Sequence, residues 1–349
     1  MHEEQAEALV VGGGPAGLAA AIELTDQGIE PLVLERRPGL TRHPRATALT
    51  AAGMQLMWRW GVADEVSRQG FPAERARSAR ASLTAPELQR VPLTEYVWNC
   101  PQDRLEEILS VRVMAGGAEI RYGTQLIGLR PEADAVTATA ATSDGVAAGI
   151  RARYVLGADG ARSVVRQSCG IGVSQSGQPE HWLSVMFRAP LREHLSDPPF
   201  MVYEIGAADG AGAVLSPADG HDRWVLCVQW HPGLGQCLQD FGPARCTELV
   251  RAAAGLDGLP VQILSVQSFQ LASVAADQGR AGRVLLAGDA ARAAGPVAAP
   301  GLCLALQDGS TAAQAIVAAI GGSTDSLDEY GEQVRRPAPE VISRELIAY

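Results

Sequence analysis

A glycine-rich turn near the start of the chain, Gly12-Gly13-Gly14-Pro15-Ala16-Gly17, constrains the fold more than any other feature. It follows an apolar run, Ala8 to Val11, that reads as a buried parallel strand. The stretch from Pro15 to Gln27 has the Ala, Leu and Ile content of a packed helix, and Gly28 stops it. Leu32-Val33-Leu34 then forms a second strand ending in Glu35. Gly12 permits the tight turn, Gly14 lets the backbone approach a pyrophosphate, and Gly17 lets the helix pack closely on the strand. The helix N-terminus, opened by Pro15 and Ala16, offers N–H groups and positive dipole to phosphates. Glu35 lies 18 residues past Gly17, near the ~20 expected of an acid that grips ribose hydroxyls. Such an acid repels a 2′-phosphate, so the turn predicts bound FAD or NAD rather than NADP. A bare GxGxxG spacing is weak evidence. Strand, glycines, helix, strand and acid in one register are strong evidence.

Composition narrows the class. The 349 residues, 47% hydrophobic and 19% charged, can bury a sizeable core without disulfide staples. A net charge of −10 disfavours nucleic acid and anionic membrane as partners. All 29 basic residues are Arg, which forbids lysine-based chemistry. None of the six Cys forms a C-x-x-C pair, so no dithiol motif and no metal site is expected. Scattered thiols point to the cytoplasm. The acidic N-terminus lacks the basic region of a signal peptide. No apolar run reaches the ~18–20 residues of a membrane span, and Thr311 to Ile320 reads as a buried helix.

Two further segments choose FAD. Residues 153–166, RYVLGADGARSVVR, carry an apolar strand into Gly157-Ala158-Asp159-Gly160. Residues 282–292, GRVLLAGDAAR, carry another into Gly288-Asp289-Ala290-Ala291. With its GxGxxG turn, "DG" motif and "GD" motif in order, the chain resembles the FAD-dependent aromatic hydroxylases of the p-hydroxybenzoate hydroxylase class, the group A flavoprotein monooxygenases. The resemblance runs from about Ala6 to Pro337. It implies an α/β fold: a Rossmann-type FAD-binding domain (residues 1–78, 98–175 and 270–349) interleaved with an antiparallel-sheet substrate domain (79–97 and 176–269).

The resemblance also implies roles. Asp289 matches the aspartate that hydrogen-bonds the FAD ribityl chain. Asp159 and Arg162 match the motif that supports the flavin site and contacts the pyridine nucleotide. Arg36 and Arg45 fall where the family places basic residues beside the FAD, and a guanidinium suits bidentate phosphate contact. Gln102 matches a residue that reaches the ribityl. Pro296, Gly301 and Leu302 belong to the turn and helix start that face the flavin pyrimidine edge, where the dipole stabilises negative charge. Three departures stand out: Arg292 in place of the usual His, Ala298-Ala299-Pro300 in place of most of a Gly-Gly-Gln stretch, and Cys303 in place of Asn.

Between the DG and GD motifs lie short, half-alternating segments typical of an antiparallel sheet. Trp182, Met186, Tyr203, Trp224 and Trp230 are candidate substrate-pocket residues. Strands around 79–83 and 90–97 are expected to join the same sheet. His221 and His231, flanked by Gly and Pro, are assigned no role.

By resemblance, NADPH or NADH reduces FAD, and a flavin C4a-hydroperoxide transfers oxygen to an aromatic or polyketide-type small molecule. The Lys-free, Ala- and Arg-rich composition suggests bacterial natural-product tailoring by analogy. The alternative is a redox-neutral [4+2] cyclase with a structural FAD, which the altered 292–303 segment favours. Flavin halogenases, which resemble this fold but rely on a Lys beside the flavin, are disfavoured by the absence of Lys.

Overall fold

A computed structural model describes residues 4–44, 46–70, 97–195, 203–205, 213–293 and 300–335. Its first sheet is centred on β1 (Glu4–Val11), with β2 (Leu32–Glu35) on one side and β8 (Ala147–Gly157) on the other, all parallel. β5 (Glu119–Tyr122) continues the sheet beyond β2, and β15 (Val284–Leu286) continues it beyond β8, again parallel. The two-residue β14 (Arg280–Ala281) closes that edge. A branch of β6 (Thr124–Pro131) and β7 (Val136–Thr142) pairs antiparallel onto β8. The apolar run of β1 is buried as its sequence requires, with Leu9 and Val10 at 0% exposure.

Helix α1 (Pro15–Asp26) is buried on nearly every face because Ala19, Ala20 and Ala21 let neighbours close in. It packs against α4 (Gln102–Ala115) and α7 (Pro300–Ile320). A Cβ on Gly309 of α7 would stand 2.0 Å from the Ala16 carbonyl oxygen, so that approach admits only glycine. α8 (Asp325–Arg335) packs on α7, while α2 (Ala51–Arg59) and α3 (Ala63–Gln69) follow the short β3 (Ala48–Thr50). α7 is long and apolar enough to cross a membrane, although the sequence reading counted only its second half. It is instead a core helix, and it carries the buried Asp308 in an ion pair.

The second sheet is antiparallel, in the order β10 (Tyr203–Ile205), β11 (Ala213–Pro217), β12 (Arg223–Gln229), β9 (Val173–Arg188), β13 (Gln262–Ala276), β16 (Arg292–Ala293). α6 (Pro243–Ala254) covers one face of it. β4 (Val97–Asn99) pairs with β3 in a separate two-stranded sheet rather than joining this one, and the remainder of 79–97 lies outside the described residues. α5 (Val164–Ser168) follows the DG turn. The anticipated domain limits at 175/176 and 269/270 cut through β9 and β13. Both strands run on to Val173 and Ala276, where β16 pairs with β13, so the antiparallel sheet is rooted beside the GD turn.

Candidate functional site

Three loops at strand tips meet through glycines. Gly12 has φ +112°, and a Cβ there would stand 2.2 Å from the Ala158 carbonyl oxygen of the DG turn. Gly288 has φ +58°, and a Cβ there would stand 3.0 Å from Cβ of Ala16 in the first turn of α1. A Cβ on Gly17 would lie 1.8 Å from the Gly12 carbonyl oxygen, so helix and turn close on each other as anticipated. Gly14 differs: a Cβ there would meet nothing within 4 Å. Gly14 is the N-cap of α1, with no side-chain cap, and Pro15 begins the helix. The helix N-terminus therefore opens onto free space, with its donors turned to any phosphate that enters. This open cradle fits the diphosphate of FAD.

Glu35 closes the ribose end. Its Oε2 accepts from Gly13 N–H at 2.8 Å, and its Oε1 accepts from Arg37 N–H at 2.8 Å and Arg37 Nε at 3.0 Å. Burial works to raise its pKa, but Arg37 and the Gly13 N–H outweigh burial and hold the carboxyl below the usual carboxylate range. With Arg37 Nη2 also donating to Oε2 at 3.3 Å, four donors meet the carboxylate's roughly four acceptor directions, so a ribose hydroxyl would take the place of an Arg37 side-chain contact. Arg36, the sequence candidate, is exposed. In an extended chain residues i and i+2 share a side, and that places Arg37, not Arg36, at the carboxylate. Arg45 and Pro296 lie outside the described residues.

Asp159 turns inward. Its Oδ2 accepts from the N–H groups of Val164 and Val165 at 2.7 and 3.1 Å, capping α5. Its backbone nitrogen lies against the Gly12 turn. Arg162 is exposed. Asp289 is exposed on a single 3-10 turn, Gly288–Ala290, at the tip of β15. Gln102 opens α4, is 9% exposed, and donates through Nε2 to Glu106 Oε1 at 2.7 Å. At the start of α7, a Cβ on Gly301 would meet nothing within 4 Å, whereas Leu302 is buried. Cys303, the departure from Asn, packs its Sγ against Gly53 and accepts from Thr50 N–H at 3.3 Å.

The other departure, Arg292, has a partner in α7. Its guanidinium donates to Asp308 at 2.6 and 3.2 Å, with Asp308 0% exposed. Asp308 also accepts from Gly288 N–H. The pair thus ties the GD turn to α7. Tyr330 adds a tie from α8, donating to the Leu286 carbonyl at 2.6 Å. The segment 294–299, with Ala298 and Ala299, lies outside the described residues, and Pro300 opens α7.

The antiparallel sheet separates the five pocket candidates by face. Tyr203 and Trp224, 0% and 1% exposed, lie with Leu183, Val185 and Leu226 in the core beneath α6, and Trp230 packs there on Phe241. These three are core residues, a correction to the sequence reading: alternation sent them to the helix-covered face. Trp182 and Met186 fall on the other face, with Ser184 between them. Register places Val225, Cys227, Val214, Ser216 and Ser265 on that face too. This is the face turned to the nucleotide domain. His43 bridges to it from the loop after β2, with Nδ1 2.6 Å from Ser265 Oγ and Nε2 2.8 Å from Ser184 Oγ. Arg223 of β12 donates to Asp103 of α4 at 2.7 Å, both largely buried. Asn99 Nδ2 donates to the Pro217 carbonyl at 3.1 Å. Sequence reasoning gave His43, Asp103 and Arg223 no roles, because each partner lies more than a hundred residues away.

Residues 5–345 match the family described as the FAD binding domain. The aklavinone 12-hydroxylase RdmE of Streptomyces purpurascens is 35% identical over 100% of this chain and 69% of its own length. A crystal structure of a ternary complex of aklavinone-11 hydroxylase with FAD and aklavinone superposes with a TM-score of 0.85. It is 33% identical, over 95% of this chain and 66% of that one. The flavin-dependent monooxygenase PieE, in complex with FAD and substrate, gives a TM-score of 0.88 at 25% identity, over 96% of this chain and 62% of that one. The chain thus spans about two thirds of the length of these relatives.

Proposed function

Because this chain belongs to the FAD-binding-domain family of flavin-dependent hydroxylases, we propose that it hydroxylates a polycyclic aromatic polyketide, with FAD as cofactor and NAD(P)H as co-substrate. The observation that carries the reading is the pairing of an FAD cradle with a facing sheet. That face presents Trp182, Met186, Val225 and Cys227, an apolar and aromatic wall suited to a flat ring system. Met186 and Val225 cluster with Ala218 and Cys227 there, apart from the core beneath α6.

Bound FAD supplies the redox chemistry by which NAD(P)H and dioxygen are coupled to insertion of one oxygen atom. The chain's own part is binding and positioning. The N-terminus of α1 would hold the diphosphate and Glu35 the adenosine ribose. Asp289, on the GD turn, and Gln102, at the start of α4, would meet the ribityl chain. The N-terminus of α7 favours negative charge at the pyrimidine edge. The Arg292–Asp308 pair fixes the GD turn, so the Arg292 departure leaves the loop anchored rather than loose. No nucleophilic side chain is required.

Two measurements test the proposal. The purified protein should show the visible bands of oxidised flavin and bleach when NADPH or NADH is added without oxygen. With oxygen and aklavinone, or a simpler hydroxyanthraquinone, it should yield a product heavier by one oxygen atom. Flavin that stays oxidised while a linear polyketide cyclises would instead establish the redox-neutral alternative.

A further inference from the structure

We propose that a notch beside β9, centred on the Glu180 carboxylate, binds the ammonium group of a small organic amine. β12 stops at Gln229, while β9 extends past His181 toward Val173 with no β12 residue beside it. The chain leaving β12 forms a short 3-10 turn, Pro232–Leu234, at this gap. The result is a cavity of about 480 Å³ whose walls include Glu180, His181, Gln229, Trp230, His231 and Leu234. That lies within the roughly 300–1,000 Å³ of small-molecule sites.

Glu180 gives the cavity its chemistry. Trp182 Nε1 and Gln229 Nε2 both donate to its Oε2, each at 2.9 Å. Two neutral donors thus orient the carboxylate and leave Oε1 without a hydrogen bond among the described residues. No arginine lines the cavity, and the chain has no lysine. The buried acids are matched differently: Glu23, Glu35, Asp103 and Asp308 each meet an arginine. A carboxylate held by neutral donors keeps its charge, so the group that completes it is a cation. The walls suit a cation carried on an apolar ring. Trp230 supplies an indole, with the His181 ring edge-on to it at 5.5 Å, and an aromatic surface attracts ammonium. A neutral imidazole adds one acceptor nitrogen for an ammonium N–H. Leu234, 80% exposed, keeps one side apolar.

Trp182 connects this notch to the proposed substrate wall. Glu180, Trp182 and Ser184 alternate along β9 and share a face, so the notch continues the wall at its outer end. That connection rests on the hydroxylase reading. The ammonium arrives either as a substituent of the aromatic substrate, reaching past Trp182, or on a separate small amine.

The test is calorimetric titration of the FAD-loaded protein with cyclohexylammonium and, for comparison, uncharged cyclohexanol. An exposed ion pair and a cation–π contact together support a preference of about tenfold for the charged ligand. Glu180 is exposed, and Glu180→Gln keeps its shape without its charge. There the preference should vanish, with FAD content and Tm as in wild type. Equal affinities in the wild type, or an undiminished preference in Glu180→Gln, overturn the site. The wild-type comparison needs no variant, so it decides alone if Glu180→Gln fails to fold. An anthraquinone bearing an aminomethyl group then identifies the source. An advantage of about tenfold over its hydroxymethyl analogue, lost in Glu180→Gln, makes the ammonium part of the substrate. Equal binding of those two, with cyclohexylammonium still taken up beside them, makes it a separate amine. A protein that binds cyclohexylammonium through Glu180 but no anthraquinone keeps the notch and overturns the hydroxylase reading alone.

Discussion

Arg292→Ala measures how firmly the GD turn is held. The guanidinium bonds Asp308 at 2.6 and 3.2 Å and reaches the Gln333 carbonyl at 3.4 Å, with Asp308 wholly buried. Deleting one partner of such a pair leaves an uncompensated buried charge and costs about 3–5 kcal/mol. At ~2.1 cal/mol/K per residue, 349 residues give an unfolding entropy of about 0.7 kcal/mol/K. The expected fall in Tm is therefore about 4–7 °C. Burial already pushes the Asp308 carboxyl above its ordinary 3.8, against the pull of Arg292. The folded state then holds that proton more tightly than the unfolded chain does. Its contribution is present below pH 3.8 and is lost as pH rises through the folded value. Without Arg292 the folded value climbs further, so the deficit of the variant should deepen from acid to neutral pH. Replacing both residues, Arg292→Met with Asp308→Leu, removes the charge and leaves chiefly the Gly288 N–H unsatisfied, about 1–3 kcal/mol, or ~1–4 °C on the same scale. Thermal unfolding followed by circular dichroism at fixed FAD concentration reads all three proteins. A single variant within 1 °C of wild type, or a double variant less stable than the single, refutes the charge argument.

Three other outcomes follow from the same geometry. Gly12→Ala sets a Cβ 2.2 Å from the Ala158 carbonyl at φ +112°, so the purified variant should lack the flavin absorbance of wild type. Glu35 has a folded pKa below its ordinary 4.5, so its contribution is complete above pH 4.5 and is lost as pH falls through the folded value. Glu35→Gln should flatten this acid limb of stability and weaken FAD affinity in a fluorescence titration. Trp224→Ala, in the core beneath α6, should cost about 3–5 kcal/mol of stability, while Val225→Phe, one residue along, on the opposite face and 6% exposed, should raise the KM for an aromatic substrate at a smaller overpacking cost of about 1–3 kcal/mol.

Legibility tracked sequence distance. The turn from Gly12 to Gly17, the acid at Glu35 and the DG and GD tips could be read because backbone geometry dictates the residue: glycine where φ is positive or where a Cβ would strike a carbonyl. A local rule could also have chosen Arg37 over Arg36, since strand alternation puts i+2 beside Glu35. The substrate sheet resisted for a different reason. Alternation showed that Tyr203, Trp224 and Trp230 alternate with other side chains, but not which face a helix would cover. That depended on α6, which arrives from later in the chain. His43, Asp103 and Arg223 were beyond any local rule, because each looks ordinary until a strand from elsewhere meets it.

The two halves of the site are also held by different means. On the cofactor side, the contacts at Gly12, Gly17 and Gly288 are backbone approaches that tolerate no side chain, so a substitution there removes the cradle. On the proposed substrate side, the sheet is joined to the nucleotide domain by side-chain bonds from His43, Asp103 and Asn99. The wall between those bonds, at Trp182, Met186, Val225 and Cys227, carries none of the backbone constraints. Such a fold can keep one redox chemistry and alter the ring system it accepts, with the bridging bonds fixing the distance between the two.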